Sequence, residues 1–123
     1  MILGVGLDIQ EIAKIAVSTQ TAAFVKKVFT QSEVALCTSV LKPEDHFAGK
    51  FAAKEAFMKA IGAGIRQGIW FTDIEILNRE TGAPYIQLYR EAEHVATNLG
   101  VRLTHVSISH SAGIAAAVVI LES

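Results

Sequence analysis

Residues 43–60 predict one long helix, and this helix constrains the fold more than any other stretch. Pro43 suits the first turn of a helix, and no helix breaker follows it before Gly62. At about 100° per residue, an apolar stripe runs along one side of this helix. The stripe consists of Phe47, Phe51, Met58 and Ile61. We therefore expect this helix to lie at the centre of the fold.

The remaining pattern predicts strands around the central helix. Residues 2–9 alternate small or acidic positions with apolar ones, which is the period of two that a strand shows. Residues 71–77 and 83–89 flank a polar stretch that contains glycine, which predicts a hairpin. Residues 102–109 and 113–121 predict a second hairpin with a tight connection.

Shorter helices complete the prediction. Segments 10–17 and 21–28 each suit a short helix, and Thr30 with Glu33 three residues later matches a capping box. A last helix over 91–100 ends on a glycine. Helices early and hairpins late indicate an α+β fold, with a mainly antiparallel sheet packed against the long central helix and the short N-terminal helices.

The composition is typical of one folded domain over residues 1–123. Apolar residues make up 51% of the chain and charged residues 19%, against about 25% charged in an average domain. The net charge of −1 gives no attraction of the whole molecule to nucleic acid or to an anionic membrane. We expect neither as a partner.

Cysteine content and hydropathy bear on the compartment. Cys37 is the only cysteine, so the chain cannot form an internal disulfide, and a reducing compartment fits best. No segment approaches the roughly 18 apolar residues of a membrane span. The expected location is the cytoplasm.

Three charged residues interrupt the apolar pattern of the long helix. Lys54 falls inside the stripe, and Glu55 and Lys59 lie along its edge. One interpretation is structural: Glu55 and Lys59 form an i,i+4 ion pair while Lys54 extends its ammonium past the stripe to water. The other is functional: this edge of the helix lines a cleft that holds an anion and a metal ion.

Asp8 is the second unusual charge, since it follows an apolar strand. It either caps the next helix or serves as a metal ligand. Gly4 and Gly6 share its face of the strand, and positions without side chains let another backbone or a ligand approach closely. Two oxygen ligands from separate elements, here Asp8 and Glu55, are a usual way to hold Mg²⁺.

His110 lies where the apolar face of a predicted strand runs out into a turn. A structural role is the more common outcome for a lone histidine. A Ser-His-Asp triad is the alternative, although the chain has no G-x-S-x-G elbow. Gly62 reads first as a helix terminator, because it matches no phosphate-loop spacing.

Four stretches occur in the order and spacing of one known family. They are "GVGLDIQEI" at 4–12, "FAGKFAAKEAFMKAIGAG" at 47–64, "FTDIEI" at 71–76 and "HVSISHSAGIAAAVVI" at 105–120. The chain resembles the holo-acyl-carrier-protein synthases, the short, single-repeat class of phosphopantetheinyl transferases. The resemblance covers nearly the whole chain.

The resemblance implies a reaction and a set of residues. The reaction is transfer of the 4′-phosphopantetheine arm of coenzyme A to a serine of apo-acyl carrier protein, which releases adenosine 3′,5′-bisphosphate and depends on Mg²⁺. Asp8 and Glu55 correspond to the metal ligands and, with Lys59, to the catalytic residues. The residues implied to contact coenzyme A are Asp8, Lys50, Lys54, Glu55, Lys59, Gly62 and His110. The family also implies a homotrimer with clefts between subunits.

The carrier protein implied by the resemblance is acidic and needs a basic surface. Lys14, Lys26 and Lys27 lie in residues 10–30 with a single acidic residue, Glu11, and are the expected docking patch. An ordinary solvated helix face is the alternative interpretation.

The family commonly has arginine at positions 14, 27 and 50, where this chain has lysine. Lysine lacks the planar two-pronged grip of arginine on carboxylate or phosphate, so docking and phosphate binding are expected to differ.

Two other functions compete with the transferase: a trimeric module that binds coenzyme A or carrier protein without catalysis, and a Mg²⁺-dependent hydrolase of nucleotide diphosphates.

Overall fold

The computed structural model describes residues 1–123, which form five strands and five helices. The strands are β1 (Ile2–Glu11), β2 (Ile74–Asn78), β3 (Pro84–Leu88), β4 (Leu103–Ser111) and β5 (Ile114–Glu122). The helices are α1 (Ile12–Ser18), α2 (Ala22–Val28), α3 (Gln31–Thr38), α4 (Pro43–Ile61) and α5 (Arg90–Asn98). Short 3₁₀ turns occupy Ile65–Gln67 and Phe71–Asp73. No helix combines the length and the hydropathy that a membrane span needs.

The strands form two antiparallel sheets. One has the order β1-β5-β4, and the other is the hairpin of β2 and β3. In the first sheet Asp8 lies opposite Ala117, and Ala117 lies opposite Ile108 on the next strand. The α+β fold and its antiparallel sheet are confirmed.

Helix α4 packs directly on β1 because β1 has glycine where the two backbones meet. A Cβ at Gly4 would collide with the carbonyl oxygen of Ala60, and one at Gly6 would collide with that of Ala56. The space beside these glycines is therefore filled by another backbone and not by a ligand. Asp8 follows on the same face of β1 and also points toward α4.

Two buried clusters meet on α4. The larger joins α4 to both sheets and to α5 through Phe57, Ile74 and Val119. The smaller joins α4 to α1, α2 and α3 through Ile15, Phe29 and Phe47. The helix is covered on several sides, which explains why its middle turns are rich in alanine.

The structure corrects two predicted boundaries and confirms a third. β1 continues to Glu11 and α1 starts at Ile12, so Asp8 is too far from the helix to cap it. Phe71–Asp73 is a 3₁₀ turn and not strand, because the Asp73 carboxylate accepts a hydrogen bond from Trp70 N at 3.0 Å and closes the turn. The predicted capping box of Thr30 is present.

Candidate active site

Asp8 is a buried carboxylate with two protein donors. Its position on the inward face of β1 follows from the strand alternation, which places it under α4. Lys59 Nζ donates to Asp8 Oδ1 at 3.1 Å, and Gln10 Nε2 donates to Asp8 Oδ2 at 2.7 Å. The Asp8 side chain is only 9% exposed, so these contacts hold it in one orientation.

Lys59 joins α4 to β1. Besides Asp8, its ammonium donates to the carbonyl oxygen of Leu7 at 3.0 Å. The i,i+4 ion pair of Glu55 with Lys59 is not formed, because the ammonium turns to the strand instead. That part of the structural interpretation is wrong.

Glu55 lies on α4 one turn before Lys59 and belongs to none of the ion pairs of the chain. Burial raises the pKa of the Glu55 carboxyl, the negative charge of Asp8 raises it further, and Lys59 opposes the shift. A carboxylate whose charge is disfavoured by a second carboxylate is stabilised in its charged form when a cation lies beside both.

The donor set fits Mg²⁺ as the bound cation. No group of three or more histidine, cysteine or acidic side chains could hold a metal ion. A pair of carboxylates is nevertheless what Mg²⁺ commonly takes from a protein, with waters and substrate phosphates as the other ligands. Asp8 and Glu55 are the residues that would hold it.

The structure places Lys54 elsewhere than predicted. Its side chain is fully buried, and its ammonium donates to Glu33 Oε1 at 2.8 Å and to the carbonyl oxygen of Phe71 at 2.9 Å. Burial lowers the pKa of the Lys54 ammonium, and the adjacent Glu33 opposes this shift. The expectation that Lys54 reaches water is wrong, and an ammonium enclosed in this way has no route to a phosphate of coenzyme A.

Lys50 and His110 share a small cavity at the other end of α4. Its wall also includes Asp45, Asn78 and Gly49, beside strand β4. The Lys50 ammonium donates to the carbonyl oxygen of Ile76 at 2.6 Å and to Asn78 Oδ1 at 3.1 Å. His110 Nδ1 lies 3.9 Å from Asp45 Oδ2. The cavity therefore presents a cation and an imidazole together.

Gly62 ends α4 in the left-handed conformation, with φ of 71°, as the terminator reading predicts. A Cβ there would meet no atom within 4 Å, so the position borders open space. Gly62 follows Lys59, the residue that contacts Asp8, by three positions at the C-terminal end of α4.

The face of β1 and β5 that points away from α4 is apolar, whereas β4 contributes His105, Ser107 and Ser109 to the same side of the sheet. Val5, Leu7 and Ile9 alternate with the inward residues of β1, and their side chains are 58%, 58% and 60% exposed. The neighbouring positions of β5 on this face are Ala116, Val118 and Ile120. Contiguous exposed apolar surface of this kind marks an interaction face.

The three lysines of the expected docking patch are exposed. Lys14 lies on α1 beside Glu11, with 3.8 Å between ammonium and carboxylate, and Lys26 and Lys27 lie on α2. An open groove between α2 and α3 includes Lys26 in its lining. Its apolar lining consists of Ala22, Val25, Phe29, Val34 and Ala35.

Sequence reasoning missed two residues of this region. Gln10 stands two positions after Asp8, and the strand period alone places both side chains on one face. Glu33 was predicted only as part of a capping box, although it also receives Lys54. A lysine is rarely buried without a partner of opposite charge. The position of Lys54 inside an apolar helical stripe therefore indicated a buried acidic residue elsewhere in the chain.

Residues 4–119 match the model of the 4′-phosphopantetheinyl transferase superfamily. The chain belongs to this superfamily. Within it, this phosphopantetheinyl transferase groups with the holo-acyl-carrier-protein synthases. The holo-[acyl-carrier-protein] synthase of Geobacter sp. (strain M21) is 43% identical over 124 residues, which cover 99% of each chain.

Solved structures agree with this assignment. The holo-[acyl-carrier-protein] synthase of Neisseria meningitidis superposes on the transferase with a TM-score of 0.89 at 30% identity, over 100% of both chains. That of Helicobacter pylori, crystallised in complex with coenzyme A, gives a TM-score of 0.82 at 35% identity, over 96% of this chain and 99% of the other. The transferase therefore has the fold of the holo-[acyl-carrier-protein] synthases, one of which was crystallised with coenzyme A.

Proposed function

We propose that this protein transfers the 4′-phosphopantetheine group of coenzyme A to a serine of apo-acyl carrier protein. The products are holo-acyl carrier protein and adenosine 3′,5′-bisphosphate, and the reaction depends on Mg²⁺. One observation supports the proposal most: Asp8, Glu55 and Lys59, from two separate elements, meet at one place. Membership of the holo-acyl-carrier-protein synthases supplies the substrate class.

The residues match the needs of phosphoryl-type transfer. Such reactions need the diphosphate held and its charge neutralised, and they need little covalent help from the protein. Bound Mg²⁺ would supply positive charge to the diphosphate oxygens. Lys59, whose side chain is 55% exposed, can turn from Asp8 toward a phosphate oxygen and stabilise charge on the leaving group.

The cavity of Lys50 and His110 is proposed to hold a second part of coenzyme A. Lys50 and Lys59 are nine residues apart on α4, which at 1.5 Å per residue puts their Cα atoms about 14 Å apart along the helix axis. A long substrate can therefore contact both ends of α4. Lys50 is anchored by Asn78, so its charge is held at the wall of the cavity. Gly62 borders open space at the end of α4 that carries Lys59.

Carrier docking is proposed for the surface of α1 and α2. Lys14, Lys26 and Lys27 supply positive charge, and the apolar groove beside Lys26 offers a place for apolar side chains of the partner. Opposite charges on two proteins raise the rate of encounter, and apolar contacts then hold the complex.

The apolar outer face of the first sheet supports a homotrimer. In a lone chain Val5, Leu7 and Ile9 are exposed to water, which is unfavourable for apolar side chains. Association of subunits through this face would bury them. A cytoplasmic location is proposed because Cys37 is the only cysteine and forms no disulfide, as is usual in a reducing compartment.

The deciding experiment measures the mass of apo-acyl carrier protein after incubation with the enzyme, coenzyme A and Mg²⁺. A mass increase equal to the phosphopantetheine arm is expected, and a chelator should abolish it. A binding module would leave both carrier and coenzyme A unchanged. A hydrolase would consume coenzyme A without any carrier, and either result would refute the proposal.

A further inference from the structure

Gln10 lies beside Asp8 on the face of β1 that points at α4. Residues two apart on a strand share a face, and the half-buried Gln10 side chain reaches back to Asp8. The distance from Gln10 Nε2 to Asp8 Oδ2 is 2.7 Å. An ionised carboxylate only accepts hydrogen bonds, so the amide turns its NH₂ group to Asp8.

Asp8 divides its two oxygens between two different donors. Oδ1 accepts from the Lys59 ammonium and Oδ2 from the Gln10 amide. A carboxylate offers about four lone-pair sites, so about two stay free for a cation. The two donors differ in charge, because an ammonium repels a divalent cation whereas a neutral amide does not.

We propose that Gln10 is a positioning residue of the Mg²⁺ site. Its amide fixes the plane of the Asp8 carboxylate without adding positive charge, and this sets the affinity of the protein for the metal ion. The inference rests on the proposed function, since it takes Asp8 and Glu55 as the residues that hold Mg²⁺. Groups that orient a metal ligand typically contribute about 10- to 100-fold to metal affinity.

The test measures metal affinity directly. Mg²⁺ is titrated into the protein by calorimetry, and Mn²⁺ by electron paramagnetic resonance, each with and without coenzyme A and with no carrier protein. In Gln10→Leu the Kd for both ions should rise about 10-fold or more. Gln10→Asn keeps the amide but shortens the side chain by one methylene, so it should weaken binding in the same direction and serves if the leucine variant does not fold.

The matched control is Gln87→Leu, the same change at an exposed strand position of β3. It should bind metal as the parent does. In the transfer assay, Gln10→Leu should raise the Mg²⁺ concentration for half-maximal rate about 10-fold, while kcat at saturating Mg²⁺ and the KM for coenzyme A stay within about two-fold.

The outcomes separate this inference from the function on which it rests. If folded Gln10→Leu and Gln10→Asn bind both ions with the Kd of the parent, Gln10 only braces the strand, and the inference is wrong while the function stands. If the parent binds neither ion, with or without coenzyme A, the metal site is wrong and the inference falls with it.

Discussion

At the scale of single residues, the candidate site depends on a balance of charge at Asp8 and Glu55. Asp8 is compensated by Lys59, whereas Glu55 has a raised pKa because of burial and the nearby charge of Asp8. The pair is thus one positive charge short of neutrality. A divalent cation beside both carboxylates would supply that charge, which is the electrostatic basis of the proposed metal site.

Replacing Glu55 by glutamine should therefore abolish transfer. Glu55→Gln keeps the size of the side chain and removes its charge, so we expect turnover to fall by more than the roughly 100-fold upper range for loss of a supporting group. Turnover is measured on apo-acyl carrier protein with Mg²⁺ present. Glu93→Gln, an exposed change on α5, is the control, and full activity of Glu55→Gln would refute the metal role.

The sequence alone marks candidate residues whose unusual character is visible within their own segment. Asp8 at the end of an apolar run and Glu55 with Lys59 on a helix edge were visible as local exceptions. Lys54 was equally visible, yet its partner Glu33 is 21 residues away, and periodicity contains no information on that distance. The burial of Lys54 follows from tertiary packing alone.

At the scale of elements, α4 is held by polar bonds as well as by its apolar core. Lys54 connects it to α3 through Glu33 and to the 3₁₀ turn before β2 through the Phe71 carbonyl. Glu33 also accepts from Thr30 N and from Ile76 N, both at 2.8 Å. One buried acid thus joins α3, α4 and β2.

Removal of one member of this pair should destabilise the protein strongly. Lys54→Met leaves Glu33 buried without a cation beside it, and we expect the free energy of unfolding to fall by about 3–5 kcal/mol. Urea unfolding at fixed protein concentration measures it, with the exposed Lys42→Met as control. The loss in Lys54→Met with Glu33→Gln should be smaller than the sum of the single losses; additive losses would mean that the two residues do not interact.

The order and type of the elements could be predicted because each carries a local cue. The capping box of Thr30 and the glycine after α4 mark real boundaries, and the alternation in β1 marks a real strand, although the strand continues to Glu11. The separation of the strands into two sheets could not be predicted, since pairing joins β1 to β5 across most of the chain. The 3₁₀ turn at Phe71–Asp73 depends on one side-chain bond and has no periodic signature.

At the scale of the whole molecule, its surfaces differ sharply in character. The outer face of β1 and β5 is apolar, and the surface of α1 and α2 carries lysines beside a groove. A protein with a net charge of −1 can still attract an acidic partner through such a local patch. The apolar face and the lysine patch therefore lie on different secondary-structure elements.

A charge in the apolar face should prevent assembly. Leu7→Glu places a carboxylate among Val5, Ile9 and Val118, where a subunit contact would bury it without a partner. Light scattering coupled to size-exclusion chromatography should report a trimer for the parent and a monomer for the variant. Leu41→Glu changes a fully exposed leucine outside the sheet and should remain a trimer. A trimeric Leu7→Glu variant would show that the interface lies elsewhere.

Reversal of one charge in the docking patch should weaken the encounter with the carrier protein. Lys14→Glu is expected to raise the KM for the carrier by about 5- to 10-fold at low salt, with kcat little changed, because rim charges act mainly on association. The difference should shrink as salt rises toward 0.5 M. Lys42→Glu is the control for charge alone. Unchanged, salt-independent kinetics of Lys14→Glu would exclude the patch.

The contact of β1 with α4 through Gly4 and Gly6 makes the spacing of the two acids a property of the backbone itself. One added methyl group at either glycine would force strand and helix apart, because the carbonyl oxygens of Ala60 and Ala56 already occupy its place. The separation of Asp8 and Glu55 thus depends on two positions that have no side chain, and even alanine is too large for them.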